Sequence, residues 1–165
     1  MARDDGTIES WNPLVTVVIP AYNAKTYLSR TLDSILSQTY QNLEILVVDD
    51  GSLDNTVDIV LQYAQRYKQV RLIQQTNQGA AAARNRGIAE AKGEFVAPID
   101  ADDVWHPQAL SKFLTTFKKA SKNTGVVYAW SIDIDEKDCP TGGFHAATIG
   151  GDVHKTLICH NFLGN

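Results

Sequence analysis

The chain is poor in the features that mark several specialised classes of protein. Its two cysteines, Cys139 and Cys159, have the spacing of neither a disulfide framework nor a zinc site, so we expect a reducing compartment. A net charge of −4 argues against nucleic acid as a partner. No apolar run reaches the roughly 18 residues of a membrane span, and the polar stretch 1–12 has no signal-peptide core. These absences predict a cytoplasmic protein whose membrane contact, if any, is peripheral, at the inner face of the membrane.

Aspartate is concentrated at the ends of two predicted strands. The segment 100–103 (Asp-Ala-Asp-Asp) follows the strand-like run 94–99, and the pair 49–50 (Asp-Asp) follows the run 43–48. Crowded carboxylates repel one another unless a cation or strong donors offset the repulsion. One acidic pair alone would indicate a solvated turn or a helix cap. Because α/β folds bind ligands at the carboxyl ends of their strands, two pairs predict a shared crevice for a divalent metal and an anionic ligand.

Apolar runs alternate with amphipathic stretches along the chain. The predicted strands are 15–20, 43–48, 70–73, 94–99 and 125–134, and the predicted helices are 25–37, a helix capped by Asp54, 80–91 and 107–120. Strands that alternate with helices predict βαβ units and therefore an α/β, Rossmann-like fold with a mostly parallel sheet flanked by helices. Pro98 is unusual in a strand that we expect to be central, and it predicts a bulge or a strand end.

The alternation weakens after Asp135. The glycine-rich segment 136–151 predicts a long loop or a short hairpin, and such a loop is either functional or disordered. A short helix is predicted over 152–159. We therefore divide the chain into a polar N-terminal extension (1–13), a core (14–134) and a loop-rich region (135–165).

Residues near the predicted crevice fit an anionic ligand. Gly79 and the small residues 79–83 would let a helix begin beside a bound nucleotide, although helix propensity and tight packing explain the alanines equally well. Arg84 lies where the helix dipole disfavours a cation, so it is expected to pair with a diphosphate or with Asp100, a surface arginine being the alternative. Asp102 is the preferred metal ligand, because hard carboxylate oxygens suit Mg²⁺ or Mn²⁺.

Four motifs together resemble family 2 glycosyltransferases of the GT-A fold. They are 17–23 (Val-Val-Ile-Pro-Ala-Tyr-Asn), 47–52 (Val-Val-Asp-Asp-Gly-Ser), 77–85 (Asn-Gln-Gly through Ala-Arg-Asn) and 100–103. Each motif alone is a weak signal, but their order, spacing and flanking strands match from about residue 14 to residue 110. The resemblance makes 14–134 a nucleotide-sugar-binding GT-A core, and 135–165 the incomplete start of an acceptor-side region.

The resemblance implies a reaction and a set of ligands. A sugar would pass from a nucleotide-diphosphate donor, most commonly a UDP-sugar, to the hydroxyl of a saccharide or lipid-linked acceptor, with inversion at the anomeric carbon. The implied cofactor is Mn²⁺ or Mg²⁺, and the implied process is the synthesis of a cell-surface polysaccharide.

The resemblance also implies roles for individual residues. The turn 20–22 would line the base and ribose, and an acid of the pair 49–50 would accept from the base N–H, with contact between Asp50 and the ribose as the alternative. Arg84 would lie by the diphosphate, and Asp100 would face the ribose or the donor sugar. The implied donor-site residues are Pro20, Ala21, Tyr22, Asn23, Asp49, Asp50, Asn77, Gly79, Arg84, Asp100 and Ala101, with Asp102 as the metal ligand.

The general base of the family is not recognisable in this chain. Inversion needs a base in reach of the acceptor hydroxyl, and in the family it is an acid of a later motif. The later acids, none in a matching context, are Asp133, Asp135, Glu136, Asp138 and Asp152. We therefore expect the base beyond Asn165 and a domain truncated at its C-terminus. The alternative function is a non-catalytic nucleotide-binding or accessory module of the same fold.

Other features of the sequence carry less weight. The histidines do not converge on a metal site, and a metal-ligand role for His154, Cys159 or His160 is disfavoured. Tyr128 and Trp130 are expected in the core, an exposed Trp130 beside a sugar acceptor being the alternative. An unfinished sheet edge would favour a homodimer, which composition leaves open.

Overall fold

A computed structural model describes residues 11–137, 139–145 and 150–151. The elements in chain order are β1 (Val15–Ala21), α1 (Leu28–Leu36), β2 (Leu43–Asp49), α2 (Thr56–Arg66), β3 (Val70–Gln74), α3 (Ala80–Glu90), β4 (Phe95–Pro98), α4 (Ala109–Lys119), β5 (Ser131–Ile134) and β6 (Pro140–His145). The chain forms two compact units, Met1–Ser111 and Lys112–Asn165.

The first unit is built on a parallel sheet with the strand order β3-β2-β1-β4. All of β1 and nearly all of β2 are buried, as the continuous aliphatic runs of strands covered on both faces require. Ala21 is in register with Asp49, and Asp49 with Gln74. The predicted α/β class with a parallel sheet flanked by helices is therefore confirmed, and the carboxyl ends of these strands meet at one edge.

Helix α3 lies very close to the two central strands. A Cβ atom added to Gly87 would stand 2.3 Å from Val18 Cγ1 and 3.2 Å from Val48 Cγ2. Val18 and Val48 are both fully buried, so neither side chain has room to move away. The missing side chain of Gly87 therefore sets the distance between α3 and the sheet.

A polar network joins elements near the amino-terminal ends of β1 and β2. Glu44 Oε1 accepts hydrogen bonds from the Thr16 hydroxyl (2.7 Å) and the Lys92 N–H (2.6 Å), and Thr16 Oγ1 accepts from the Gly93 N–H (2.8 Å). A Cβ on Gly93 would stand 2.6 Å from the Thr16 backbone nitrogen. The turn between α3 and β4 is thereby attached to both central strands.

The structure corrects the position expected for β4. The sequence predicts a central strand, whereas β4 lies at the edge of the sheet formed by the described residues. Its residues alternate between half-buried and exposed, which explains why the strand tolerates Pro98 as its last residue. The prediction of a strand end at Pro98 is confirmed, and the predicted homodimer through a sheet edge stays a prediction.

The second unit contains a hairpin where the sequence predicts a longer strand. Only Ser131–Ile134 of the predicted strand 125–134 is a strand, and it pairs with β6 in antiparallel order. The run 125–130 has β-forming residues but is not in a strand, because strand formation depends on tertiary context as well as on residue type. Within the predicted loop or hairpin 136–151, residues 140–145 form β6, the second strand of a hairpin whose first strand, β5, precedes that segment.

Trp130 is not a core residue, contrary to the prediction. Its side chain is 59% exposed and meets the Phe144 ring edge to face, with ring centroids 5.4 Å apart. The core prediction was wrong because an aromatic residue in a strand-like run can lie on either face of a two-stranded ribbon. Several predictions fall outside the described residues: the N-terminal extension up to residue 10, the helix 152–159, and roles for Asp138, Asp152, His154, Cys159 and His160. Within the described part of the chain, no helix has the length and apolar character needed to cross a membrane.

Candidate donor site

The predicted site residues meet at the carboxyl edge of the first unit's sheet. Pro20 and Ala21 end β1, and Asp49 ends β2. The Ile99 N–H donates to the Val18 carbonyl (3.1 Å), so the chain after β4 continues to the same edge with Asp100. The structure therefore brings the three strand ends together, as the sequence predicts.

The loop after β1 is tied to the loop after β2 through Asn23. The Asn23 N–H donates to Ser52 Oγ (2.9 Å), and Asn23 Oδ1 accepts from the Leu53 N–H (2.8 Å). Asn23 has a φ of 50°, in the left-handed region that asparagine tolerates better than most residues. The preceding Tyr22 is 50% exposed, which leaves its ring available at the rim of the crevice.

Asp54 adds a second tie between these loops. Its carboxylate accepts from the Thr56 N–H (3.0 Å), the Thr56 hydroxyl (2.5 Å) and the Lys25 N–H (3.3 Å). These bonds, the Thr56 hydroxyl first, hold the pKa of Asp54 below its ordinary value. The predicted cap needs correction, because the N-cap position of α2 is Asn55, and Asp54 bonds the first helical N–H from one residue earlier.

Asp49 and Asp50 are both 2% exposed. Asp49 Oδ1 accepts from the Ser52 N–H at 3.3 Å. Asp50 Oδ1 accepts from Gln75 Nε2 (2.8 Å) and the Gln78 N–H (2.8 Å), and its Oδ2 accepts from the Gly79 N–H (2.7 Å). Burial alone would raise the pKa of Asp50, but these three hydrogen bonds outweigh burial and hold its pKa below the ordinary value.

Arg84 pairs with Asp100, one of its two predicted partners. Arg84 Nη2 lies 2.5 Å from Asp100 Oδ1, and the side chains are 38% and 31% exposed. A partly exposed pair contributes little to stability. The ion pair holds the guanidinium and the carboxylate together, and each group keeps an accessible side.

The acidic segment 100–103 forms a turn, in which the Asp103 N–H donates to the Asp100 carbonyl (3.2 Å). The Ala101 carbonyl accepts from the Thr31 hydroxyl (2.8 Å), which attaches the turn to α1. Partial burial raises the pKa of Asp103, and the negative charges of Asp102 and Asp100 raise it further. The turn therefore concentrates negative charge that a cation would relieve.

The carboxylates of the acidic turn suit a metal ion that is coordinated partly by the protein and partly by a bound ligand. Among the described residues, no three His, Cys, Asp or Glu side chains form a group that could hold an ion by themselves. Asp102 is exposed and its carboxylate can reach a ligand in solvent. Mg²⁺ is commonly bound by one or two carboxylates together with substrate phosphates, so the residues present fit such a group.

Asn77 and Gly79 lie in the connection between β3 and α3. Asn77 is exposed, and Gly79 occupies the N-cap position of α3 with a φ of 90° and a ψ of 158°, a combination that essentially only glycine adopts. A Cβ at Gly79 would meet no atom within 4 Å. The glycine is thus required by backbone conformation and faces open space at the predicted crevice.

Three polar residues at the site make contacts that could not be predicted from the sequence. Gln75 bonds Asp50, Thr31 bonds the acidic turn, and Thr56 donates to Asp54 and accepts from the Ala24 N–H (2.8 Å). Each is an ordinary polar residue within its own segment. No local signal marks the contacts of Gln75 with Asp50, Thr31 with Ala101 and Thr56 with Ala24, because these partners lie on distant segments of the chain.

Comparison with known proteins identifies the family of the chain. The family model of glycosyl transferase family 2 matches residues 16–150. An uncharacterized glycosyltransferase of Nostoc sp. is 42% identical over 87% of this chain and 45% of its own length.

Two solved structures have a similar fold. A mannosyltransferase from Pyrobaculum calidifontis, in complex with GDP-Man and Mn²⁺, has a TM-score of 0.62 at 29% identity, over 78% of this chain and 38% of its own. S. aureus TarS 1-349, in complex with UDP-GlcNAc, has a TM-score of 0.60 at 29% identity, over 68% of this chain and 36% of its own.

The chain belongs to glycosyl transferase family 2. Its sheet and helices are those of the GT-A type seen in these neighbours. The chain spans less than half the length of the relatives named above.

Proposed function

We propose that the protein contributes the donor half of a glycosyl transfer. A sugar would pass from a nucleotide-diphosphate donor, with UDP as the nucleotide, to an acceptor hydroxyl of a saccharide or lipid-linked molecule, with inversion and assisted by Mn²⁺ or Mg²⁺. The observation that carries the proposal is the convergence of Asp50, the Arg84–Asp100 pair and Asp102 at one sheet edge. The neighbours solved with UDP-GlcNAc and with GDP-Man and Mn²⁺ support it.

The proposal gives each group at the edge a separate task. The turn 20–22 lines the base and ribose, and an acid of the pair 49–50 accepts the base N–H. Asp100 keeps the Arg84 guanidinium at the edge, where it stabilises the charge of the diphosphate. Asp102 supplies an exposed carboxylate oxygen for the metal, which, when bound, acts as a Lewis acid for the leaving diphosphate.

Replacing Asp102 by asparagine tests this arrangement. We expect the wild type to bind one of UDP, GDP or dTDP more tightly with Mn²⁺ than without it. Because an amide oxygen carries no negative charge, Asp102→Asn should lower the Mn²⁺-dependent affinity at least about tenfold. Isothermal titration calorimetry of each nucleotide, with and without Mn²⁺, measures both values.

The matched control is Asp58→Asn, which neutralises an exposed acid in the first turn of α2. It should bind nucleotide as the wild type does. A folded wild type that binds no nucleotide contradicts the proposed function. An Asp102→Asn variant with unchanged Mn²⁺ dependence contradicts the metal role of Asp102 alone.

A second candidate function is a nucleotide-binding or accessory module that performs no transfer. In the hairpin, Asp133 Oδ1 lies 3.1 Å from His145 Nε2, and Asp135 Oδ1 accepts from the Lys137 and Cys139 N–H groups, so the contacts of these two later acids lie within the hairpin, which favours it. The wild type is incubated with a sugar donor that carries the nucleotide it binds, and the released nucleoside diphosphate is measured. Binding without release supports the module, and release supports the transferase.

A further inference from the structure

Asp50 supplies a buried carboxylate whose bonds all lead to one loop. Three donors of the segment 75–79 point at it: Gln75 Nε2, the Gln78 N–H and the Gly79 N–H, at 2.7–2.8 Å. A carboxylate has about four acceptor positions, so three of them are engaged without any ligand. Since charge-assisted bonds to backbone N–H groups are strong, the carboxylate fixes the conformation of this loop.

The loop that Asp50 holds leads directly into α3. The Ala83 N–H donates to the Gly79 carbonyl (3.1 Å), so the residue bonded by Asp50 also belongs to the first turn of the helix. Gly87 holds the same helix against Val18 and Val48 two turns later. Arg84 lies between these two attachments, so its position is set by both of them.

Arg84 reaches Asp100 from the start of α3, the part of the helix that follows the loop held by Asp50. A guanidinium at 2.5 Å from a carboxylate oxygen is sensitive to shifts of a few tenths of an ångström in its helix. Without the carboxylate of Asp50, the Gln78 and Gly79 N–H groups would lose this acceptor, and the loop 75–79 would keep the bond from the Gln75 N–H to the Asp49 carbonyl (2.9 Å).

We propose that Asp50 is a positioning residue that holds the loop 75–79 and the start of α3, and thereby orients Arg84 for the diphosphate of the donor. The diphosphate part of this inference rests on the proposed function, whereas the attachment of the loop does not. The role is compatible with a base contact by the fourth acceptor position of Asp50, and it is separable from that contact by experiment.

The first experiment needs no nucleotide. Amide hydrogen exchange measured by NMR should show protected Gln78 and Gly79 amides in the wild type, and exchange at least about tenfold faster in Asp50→Asn. Amides in the last turn of α3 should exchange at the wild-type rate. Unchanged exchange at Gln78 and Gly79 would overturn the inference.

The second experiment removes a donor instead of the acid, so that a direct contact of Asp50 with the base stays intact. Gln75→Leu should lower the Mn²⁺-dependent affinity for UDP about three- to tenfold and leave the affinity for uridine, which has no diphosphate, unchanged. In an Arg84→Gln background, Gln75→Leu should have no further effect, because its influence runs through Arg84. Gln74→Leu, a change at the neighbouring exposed glutamine, is the control and should bind both ligands as the wild type does.

An equal loss of UDP and uridine affinity in Gln75→Leu, or additive losses in the double variant, would mean a general structural role and would overturn the inference. A wild type that binds no UDP would instead contradict the proposed function. In that case the exchange experiment alone decides whether Asp50 holds the loop.

Discussion

Carboxylates at the ligand edge fall into two electrostatic kinds. Asp50 and Asp54 accept several hydrogen bonds each, which lowers their pKa values. Asp103 has a raised pKa, because burial and two neighbouring negative charges disfavour its ionised form. Asp50 and Asp54 hold the loops together through their hydrogen bonds. Asp103 is instead repelled by neighbouring carboxylates, and a bound cation would reduce that repulsion.

The lowered pKa values predict a loss of stability in acid. A carboxyl group whose pKa is lower in the folded state stabilises the fold above its ordinary value of 3.8, and this contribution disappears as the pH falls through the lowered pKa. We expect the free energy of unfolding, measured with urea, to fall between about pH 5 and about pH 2.

The free energy of unfolding of Asp54→Asn should fall less than that of the wild type over the same pH range, because one of the carboxyl groups that become protonated is absent. Asp58→Asn, which removes an exposed acid of α2, should show the wild-type fall. A fall in Asp54→Asn as large as that of the wild type would count against the role given to its hydrogen bonds.

Helix α3 combines two requirements in a short length. Its first residues must leave the crevice open, which small side chains and the positive φ of Gly79 achieve. Its later residues must approach the sheet closely, which Gly87 achieves. The low intrinsic helix preference of Gly87 is the cost of that approach.

Gly87→Ala should therefore destabilise the protein. The new methyl group would collide with Val18, at a cost of about 1–3 kcal/mol, offset by about 1 kcal/mol of helix propensity, for a net loss of up to about 2 kcal/mol. Urea denaturation measures the change.

Gly125→Ala is the matched control, because a Cβ there meets nothing within 4 Å. Its stability should lie within about 0.5 kcal/mol of the wild type. Equal stability of the two variants would show that α3 can move away from the sheet without penalty.

All the predicted donor-site residues lie in the first compact unit, Met1–Ser111. A ligand that binds only the folded state stabilises it in proportion to the logarithm of ligand concentration over its dissociation constant. UDP with Mn²⁺ should therefore slow hydrogen exchange in β2 and α3. Peptides from the hairpin β5–β6, in the other unit, should exchange at the unliganded rate. Mass spectrometry of the exchanged peptides tests this, and equal protection of the hairpin would mean that the ligand also engages the second unit.

The sheet could be predicted from the sequence because its central strands carry their own signal. β1 and β2 are buried along nearly their whole length, so they are continuous aliphatic runs that need no knowledge of their neighbours. The region 125–134 failed for the opposite reason, since strand formation there depends on a partner that the local sequence does not specify. The exposure of Trp130 was not predicted, because its core position was inferred from that same predicted strand.

The charged groups of the candidate site were predictable, but their supports were not. Asp50, Asp100 and Arg84 lie at strand ends and in a helix start that local patterns reveal. Gln75 bonds Asp50, and Thr56 bonds Ala24, across loops that become neighbours only when the chain is folded. Their contribution is tertiary, and only the structure could assign it.

The network around Glu44 has a consequence for redesign of this protein. Because Glu44, Thr16 and Gly93 lock the turn between α3 and β4 at the far side of the sheet, the scaffold does not rely on the crevice loops alone for its cohesion. The exposed positions 53, 55, 76 and 77 could be exchanged for the residues of a relative with another donor, while the Glu44 network and the hydrogen bonds of Asp50 and Asp54 are left unchanged. A library that varies those positions and spares the Glu44 network would therefore sample new specificities on a chain that still folds.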